Sequence, residues 1–281
     1  MKVVLLADKG KRRYLGSQRY TMRLLRLATA TVLLTLLGAC STTGMPAGTP
    51  VKDLINVTYP SLDGKLTLGG YLAKPSAPGS YPAVLMVHEW WGLTEEMDRK
   101  ADLLAQDGFV VLAIDAMRGR SANSVPAAIL QVSTTPKDQI DADVDAALAY
   151  LKALPEVDAT RVGATGFCFG GTTTMRLGIR DGSLKAAVIF YGSGPVTDVA
   201  KLGHLGESGP VLGIFGTKDS NIPTAQAVAF SDALKAKGVG EVHLYEGEGH
   251  AFVKYDTLSV PGASQDGWNE MKAFLERNLK G

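Results

Sequence analysis

The sequence predicts an α/β protein built on a doubly wound, mostly parallel central sheet with helices on both faces. Short apolar runs alternate with helical segments along most of the chain, and over this length such alternation produces a parallel sheet. The first run, 82–89, is apolar on both faces, as expected for a strand that is covered by helices on each side. The other predicted strands lie at 109–115, 161–167, 186–192, 210–216 and 241–247.

The chain opens differently, with an antiparallel hairpin. Residues 54–75 alternate between apolar and polar side chains, which is typical of a strand with one buried face. The pair Asp63-Gly64 interrupts the alternation and is a strong turn signal between two antiparallel strands. We therefore expect a mixed sheet, in which this hairpin joins the parallel strands.

The predicted helices have their own start and stop signals. Thr94 can cap a helix over 94–108, which Gly108 ends. Pro136 lies in the first turn of the next helix, whose apolar side chains recur on one face. Further helices are predicted at 170–180, 223–238 and 264–279.

The first forty residues differ from the rest of the chain. From Met22, arginines, an apolar run and small residues follow one another and end at Cys40, which is the organisation of a secretory signal peptide. The sequence LGAC at 37–40 resembles the bacterial lipobox, where signal peptidase II cleaves before a cysteine that carries lipid. We therefore expect a lipoprotein-type signal peptide over 1–39, with Met22 as an alternative start, and a lipid on Cys40.

This segment also fits an ordinary signal peptide with a chance cysteine, or an uncleaved anchor. The apolar run has about twelve residues, fewer than the ~20 that a membrane-spanning helix needs. Small residues after Cys40 indicate a flexible tether. The predicted boundaries are therefore 40–53 for the lipidated tether and 54–281 for a single α/β domain.

Cleavage before Cys40 changes the charge of the protein. It leaves 21 basic and 27 acidic residues without a basic stripe, so nucleic acid is not expected as a partner. The lipid is expected to hold the protein on the periplasmic side of a bacterial cell envelope. Since Ser41, and not an aspartate, follows Cys40, the outer membrane is the expected location. We expect a monomer, and the sequence predicts no cofactor and no metal site.

Cys168 is the only cysteine of the predicted domain, so in an oxidising compartment it is either buried and inert or kept for its chemistry. It lies in GFCFGG (166–171), which fits the pattern G-x-nucleophile-x-G of the strand-to-helix turn in the α/β-hydrolase fold, with cysteine replacing serine. The glycines let strand and helix pass closely, and the helix N-terminus favours a thiolate. The alternative is a buried cysteine in a glycine-rich turn.

Two further candidates follow predicted strands, and ligands of parallel sheets bind beyond the carboxyl ends of the strands. Asp219 comes directly after the strand at 210–216, and His250 lies in a glycine-rich loop after the last strand. Taken singly, Asp219 is better accounted for as a turn or cap residue, and His250 also fits a surface loop histidine. With Cys168, however, they have the chain order of an α/β-hydrolase triad, so we predict a Cys-His-Asp triad.

Four segments carry a resemblance to a known family: HEWWGL (88–93), GFCFGG (166–171), GTKD (216–219) and EGEGHAF (246–252). With them the chain resembles the dienelactone hydrolase family across essentially all of its predicted domain. The resemblance implies an α/β-hydrolase fold and hydrolysis of an ester or lactone.

The same resemblance implies roles for residues near the thiol. Glu89 would lie beside Cys168 and help to control its ionisation, and a carboxyl group between pocket tryptophans should have a raised pKa through desolvation. The backbone N–H groups of Trp90 and Phe169 would form the oxyanion hole. The side chain of Trp91 is expected in the wall of the substrate pocket.

The expected carboxylate-binding residues depart from the family pattern. Dienelactone hydrolases bind a substrate carboxylate with arginines, and Lys254 stands in the place of one of them, four residues after His250. Lysine offers a point charge in place of a planar fork. Arg118 and Arg120 are nearest to the second family arginine, and Arg118 is predicted to contact substrate.

The sequence therefore predicts a hydrolase of small carboxylic esters or lactones that works through a thioester on Cys168. Thioester or amide substrates would use the same residues. The alternative is a non-catalytic envelope lipoprotein that uses the fold as a binding module. A thiol redox sensor would want a resolving cysteine near Cys168, and the sequence has none there.

Overall fold

The computed structural model describes residues 49–281; the predicted signal peptide, Cys40 and most of the predicted tether lie outside them. The strands are β1 (Val57–Pro60), β2 (Thr67–Ala73), β3 (Tyr81–Val87), β4 (Val110–Ile114), β5 (Val157–Phe167), β6 (Ala186–Phe190), β7 (Val211–Gly216) and β8 (Gly240–Tyr245). They form one eight-stranded sheet in the order β1-β2-β4-β3-β5-β6-β7-β8.

The sheet is mixed, as the sequence predicts. β1 and β2 form an antiparallel hairpin at one edge, and β2 is also antiparallel to β4. From β4 to β8 every pairing is parallel, so these strands present their carboxyl ends at a single edge. That edge is where an α/β sheet places its ligand site.

Helices cover both faces of the sheet. They are α1 (Val51–Leu54), α2 (Glu95–Gln106), α3 (Val125–Thr134), α4 (Lys137–Ala153), α5 (Phe169–Arg180), α6 (Thr224–Lys237) and α7 (Ala263–Leu279). Among them, none combines the length and the apolarity needed to cross a membrane. Because successive side chains of a strand alternate, Val84 of β3 packs in the cluster of α2 and α7, whereas Leu85 packs in the cluster of α4.

The structure differs from the sequence prediction at α1 and α3, which have no counterpart among the predicted helices. α1 buries Val51 and Leu54 in the core, so the folded domain begins before residue 54, the predicted boundary. α3 escapes prediction because apolar residues lie on its exposed side as well as at the buried Ala128, so it lacks the one-sided apolar stripe of an ordinary surface helix. Thr94 precedes α2 as expected, but its side chain makes no capping hydrogen bond.

Candidate active site

Cys168 lies at the apex of the turn between β5 and α5, in a conformation that is rare for a residue with a Cβ atom. Its φ is 56° and its ψ is −113°, a strained combination that persists only when the surroundings impose it. The Cys168 N–H donates to the carbonyl of Phe190 at 3.1 Å, and the Thr172 N–H donates to the Cys168 carbonyl at 3.1 Å. These bonds hold the thiol at the carboxyl edge of the sheet and at the N-terminus of α5.

The flanking glycines are required by close backbone contacts. A Cβ atom at Gly166 would lie 2.2 Å from the carbonyl oxygen of Gly170, and one at Gly170 would lie 2.1 Å from the carbonyl oxygen of Val87. Neither distance is compatible with two non-bonded atoms. The missing side chains therefore allow α5 to start directly against β3 and β5.

The structure brings His250 and Asp219 to the thiol. The Nε2 atom of His250 lies 3.0 Å from the Sγ atom of Cys168, and its Nδ1 atom lies 2.7 Å from Oδ2 of Asp219. The other carboxylate oxygen of Asp219 accepts hydrogen bonds from the N–H groups of Asn221 and Ile222, at 2.8 and 3.1 Å. Asp219 is thus a fixed acceptor, which places the imidazole proton on Nδ1 and leaves Nε2 able to accept a proton from the thiol.

Tyr191 supports the ring of His250 and has no signal in the sequence. It follows β6, is fully buried and has a φ of 37°. Its ring meets the imidazole edge-on, with 5.2 Å between the ring centroids. Burial raises the pKa of the Tyr191 phenol far above its usual range, so its hydroxyl group stays protonated.

Glu89 and two backbone amides set the ionisation of the thiol. Burial, and after it the carboxylate of Glu89, raise the pKa of Cys168 to about 12. The N–H groups of Phe169 and Trp90 oppose this and lower the pKa, since both donate toward the sulfur. The pKa of Glu89 itself is raised by burial, against the attraction of Lys100, His250 and Lys254. This is the direction expected from the sequence.

His88 and Gln131 fix the peptide groups on both sides of Trp90. The buried His88 ring accepts the Ala116 N–H at Nε2, at 3.2 Å, so its proton is on Nδ1, which donates to the Glu89 carbonyl at 2.5 Å. Gln131 donates to the Trp90 carbonyl at 3.0 Å. Because the Glu89 carbonyl and the Trp90 N–H belong to one planar peptide, the first bond also sets the direction of that N–H.

We expect His88→Phe to lower kcat by about tenfold to a hundredfold with little change in KM. The phenyl ring keeps the stacking against Phe169 but releases the peptide that carries the Trp90 N–H, which is expected from the family resemblance to lie in the oxyanion hole. Loss of one oxyanion donor costs up to about 10³-fold. Steady-state kinetics would test this. His88→Asn should retain most of the activity, because its amide nitrogen can take the place of Nδ1. Equal losses of activity in both variants would rule out that His88 orients the Trp90 N–H.

A cavity of about 780 Å³ opens in front of the imidazole. Its walls include Glu89, Trp91, His250 and Lys254, so Trp91 and Lys254 lie where the sequence predicts them. Trp91 is held in place by the edge of Trp90, with 5.3 Å between the ring centroids. The cavity is large enough for a small organic ester with its acyl and alcohol parts.

The structure does not bring Arg118 to this cavity, which corrects the prediction of a substrate contact. The guanidinium group of Arg118 makes two hydrogen bonds of 2.8 Å to the carboxylate of Asp143 on α4. Arg118 borders a separate cavity of about 210 Å³ next to the β1–β2 hairpin. Arg120 is also occupied, by the Met117 carbonyl and the Thr135 hydroxyl. The buried Asp143 carboxylate thus binds the Arg118 guanidinium group that is expected from the sequence to bind substrate.

Lys100 is a second cation near the site, and no sequence pattern points to it. It is fully buried in α2, with its Nζ atom 2.8 Å from Glu96 and 3.0 Å from the Val253 carbonyl. The same atom lies 4.2 Å above the ring centroid of Phe167. Its positive charge lowers the pKa of Glu89 and so opposes the effect of burial on that carboxyl group. Across residues 49–281, no group of side chains is arranged to hold a metal ion.

The fold and the site geometry define an α/β-hydrolase with a cysteine at its nucleophile turn. The dienelactone hydrolase family model matches residues 68–279. The chain therefore belongs to the dienelactone hydrolase family, a class of hydrolases that act on ester or lactone bonds.

Individual relatives agree with this assignment. A Methylorubrum extorquens protein named as a candidate carboxymethylenebutenolidase is 31% identical over 239 residues, which cover 79% of this chain and 80% of that one. A Bradyrhizobium protein named as a candidate 2-oxo-3-(5-oxofuran-2-ylidene)propanoate lactonase is 30% identical, covering 75% of this chain and 90% of its own.

Solved structures show the same similarity. A candidate dienelactone hydrolase from Klebsiella pneumoniae superposes with a TM-score of 0.66 at 28% identity, over 79% of this chain and 98% of that one. A dienelactone hydrolase-like promiscuous phosphotriesterase from metagenomic libraries gives 0.68 at 26% identity, with the same coverage of both chains.

Proposed function

We propose that the protein hydrolyses small carboxylic esters or lactones by covalent catalysis, with Cys168 as nucleophile, His250 as base and Asp219 as its orienting acid. The observation that carries this proposal is the unbroken contact from Sγ to Nε2 and from Nδ1 to Oδ2, at 3.0 and 2.7 Å. A merely buried cysteine has no need of a base at hydrogen-bond distance or of a strained apex.

In the first half of the proposed reaction, Nε2 of His250 takes the thiol proton while Sγ attacks the carbonyl carbon. The carbonyl oxygen becomes an oxyanion, which accepts hydrogen bonds from the N–H groups of Trp90 and Phe169. The bond from carbon to the alkoxide oxygen then breaks, and the imidazolium gives its proton to that oxygen. An acyl thioester remains on Cys168; for a lactone, the new hydroxyl group stays attached to the acyl chain.

In the second half, water attacks the thioester and His250 takes a proton from it. The tetrahedral intermediate collapses, the carboxylic acid leaves, and the proton returns to the thiolate. Asp219 keeps the imidazole in one tautomer throughout and stabilises its cation. Each donor that binds the oxyanion in such a site contributes about 3 kcal/mol to transition-state stabilisation.

The thiol is proposed to be protonated at rest, because burial and Glu89 raise its pKa to about 12. We expect Glu89→Gln to lower the apparent pKa of Cys168 by about one pH unit, since it removes the neighbouring negative charge. The rate of alkylation by iodoacetamide, followed against pH, measures this pKa directly. Glu95→Gln is the matched control, because Glu95 lines the same cavity and has no part in the raised pKa. An unchanged profile for Glu89→Gln would contradict the electrostatic role.

We propose that the substrate is a small molecule with at most one negative charge, and that Lys254 contacts this charge. Among the arginines expected to bind a carboxylate, Arg118 and Arg120 are occupied elsewhere. The names of the Methylorubrum and Bradyrhizobium relatives both point to lactones that carry a carboxylate. Comparing one lactone as free acid and as methyl ester tests this: Lys254→Met should raise KM for the acid only.

The decisive experiment uses the lipid-free chain 41–281, which contains the whole described fold. Hydrolysis of a p-nitrophenyl ester and of a dienelactone is compared between the native protein and Cys168→Ala. Loss of turnover on at least one substrate in the variant would support the nucleophile, and the preferred substrate would tell whether Lys254 suffices for a carboxylate. Equal turnover by both forms would refute Cys168 as nucleophile.

We also propose that Cys40 carries a lipid that holds the protein on the periplasmic side of a bacterial outer membrane. The lipobox-like segment 37–40 and the small residues after it support this. Mass spectrometry of the membrane-extracted protein tests it. A diacylglyceryl group on Cys40 is expected, and a chain that begins elsewhere would contradict the proposal.

A further inference from the structure

Helix α3 exposes an apolar side to the surroundings. Val125, Ile129 and Leu130 are 50%, 54% and 63% exposed, and with the exposed Pro126 they lie on one side of the helix. The opposite side carries the buried Ala128 and Gln131, and the Gln131 amide donates to the Trp90 carbonyl. The helix contains no charged residue, and its exposed polar residues, Ser133 and Thr134, lie near its end. We call Val125, Pro126, Ile129 and Leu130 the α3 face; four neighbouring apolar residues are not expected on the outer side of a helix that meets only water.

The exposed apolar side chains are concentrated at one edge of the sheet. Of nine large hydrophobic side chains that are exposed within residues 49–281, three lie on α3 and two, Leu62 and Leu66, lie in the β1–β2 turn. Because β2 is antiparallel to β4, this turn lies at the carboxyl edge of β4, from which the chain continues to α3. Single exposed hydrophobic residues are ordinary, whereas neighbouring ones, such as those on α3, mark a contact surface.

The α3 face adjoins the entrance of the catalytic cavity. Residues 121–123 form part of the cavity wall, and α3 begins at Val125, immediately after them. At its other end, Gln131 holds the peptide that joins Trp90 to the cavity residue Trp91. Whatever covers the α3 face therefore also lies close to the wall of the cavity.

The course of the chain indicates a lipid bilayer as that partner. Thr49, the first described residue, is itself in the cavity wall and bonds to Glu95 at its rim. Only eight residues lie between Cys40 and Thr49, so nine residue-to-residue steps join the two. Fully extended, they span at most about 30 Å, so a lipid on Cys40 would keep the cavity entrance within that distance of the membrane surface.

We propose that the α3 face docks on the lipid bilayer and turns the cavity entrance toward it, so that the enzyme takes ester substrates from the membrane. This inference rests on the proposed lipid anchor and on the proposed hydrolase activity. The uncharged helix favours contact with acyl chains and neutral headgroups over attraction by anionic lipid. The anchor adds to this contact, because it holds the α3 face at a high effective concentration near the surface.

The test uses the lipid-free chain 41–281 with vesicles of phosphatidylcholine and phosphatidylethanolamine. We expect the native chain to co-sediment with the vesicles and Ile129→Ser/Leu130→Ser to bind at least about tenfold more weakly, since two apolar side chains no longer enter the bilayer. Val228→Ser/Leu244→Ser is the matched control: both residues are exposed, on α6 and β8 at the far side of the sheet, and binding should be unchanged.

A second measurement separates binding of the α3 face to the bilayer from ester hydrolysis. The α3 variant should hydrolyse soluble p-nitrophenyl acetate at the native rate but a long-chain p-nitrophenyl ester held in vesicles about tenfold more slowly. Equal vesicle binding by native and α3 variant would overturn the inference. So would an α3-dependent dimer in sedimentation without vesicle binding, which would make a second copy the partner. No hydrolysis of either ester, with α3-dependent binding intact, would refute the proposed activity and still support docking.

Discussion

Asp219→Asn is expected to reduce kcat by about 10⁴-fold while the fold stays intact. The Asn221 and Ile222 N–H groups bind one oxygen of Asp219, so the amide of an asparagine would keep its oxygen there and turn its NH₂ group toward the imidazole. Nδ1 would then have to accept a hydrogen bond, and the ring proton would move to Nε2. An imidazole with its proton on Nε2 cannot take the thiol proton, and the same change in serine hydrolases costs about this factor.

Steady-state kinetics on a p-nitrophenyl ester measure this effect. Asp198→Asn serves as control, because Asp198 is an exposed aspartate that likewise accepts a backbone N–H, from Ala200, and has no contact with the imidazole. The control should keep native activity. A loss in Asp219→Asn that is no larger than in the control would show that the contact between Asp219 and His250 has no part in turnover.

Gly170→Ala is expected to destabilise the protein by more than about 3 kcal/mol, as overpacking at a backbone contact does. The new Cβ atom would lie 2.1 Å from the Val87 carbonyl oxygen, and β3 pairs on both sides with β4 and β5, so neither partner can yield without loss of hydrogen bonds. For a domain of this size the melting temperature should fall by about 10 °C. Thermal unfolding followed by circular dichroism tests the expectation.

Gly267→Ala is the matched control for this substitution. Gly267 is also a helical glycine, in α7, but a Cβ atom there would be 3.3 Å from the nearest side-chain atom. Since alanine favours a helix over glycine by about 1 kcal/mol, the control should stay within about 1 kcal/mol of the native stability. Similar melting temperatures for both variants would contradict the close contact between α5 and β3.

The predictable features are those that a local pattern encodes. Neighbouring residues are enough to predict three features: strand β3, which is apolar on both faces, the hairpin around Gly64, and the turn with Cys168 between glycines. The order of the strands in the sheet then brings His250 to the thiol. Local periodicity and the rule that ligand sites follow parallel strands are sufficient for these features. Trp91 and Lys254, which line the cavity, are expected there from the resemblance to the dienelactone hydrolase family.

The other features depend on contacts between distant segments. The sequence position of Arg118, near that of a family arginine, suggests a substrate contact, but its partner Asp143 lies 25 residues away on α4. Tyr191 and Lys100 reach the site only through packing, and no motif marks either of them. α3 escapes prediction because its apolar residues lie on both the buried and the exposed side, which leaves no periodic apolar stripe for sequence analysis to detect.

The high pKa of Cys168 also bears on how long the enzyme would last. Oxidants and electrophiles react with thiolates, and a thiol with a pKa of about 12 is ionised in only about one molecule in 10⁵ at pH 7. Burial and the Glu89 carboxylate would thus shield the proposed nucleophile from peroxide and from mixed disulfides between turnovers. The two effects that delay ionisation of the thiol would therefore also lengthen its lifetime in the presence of oxidants.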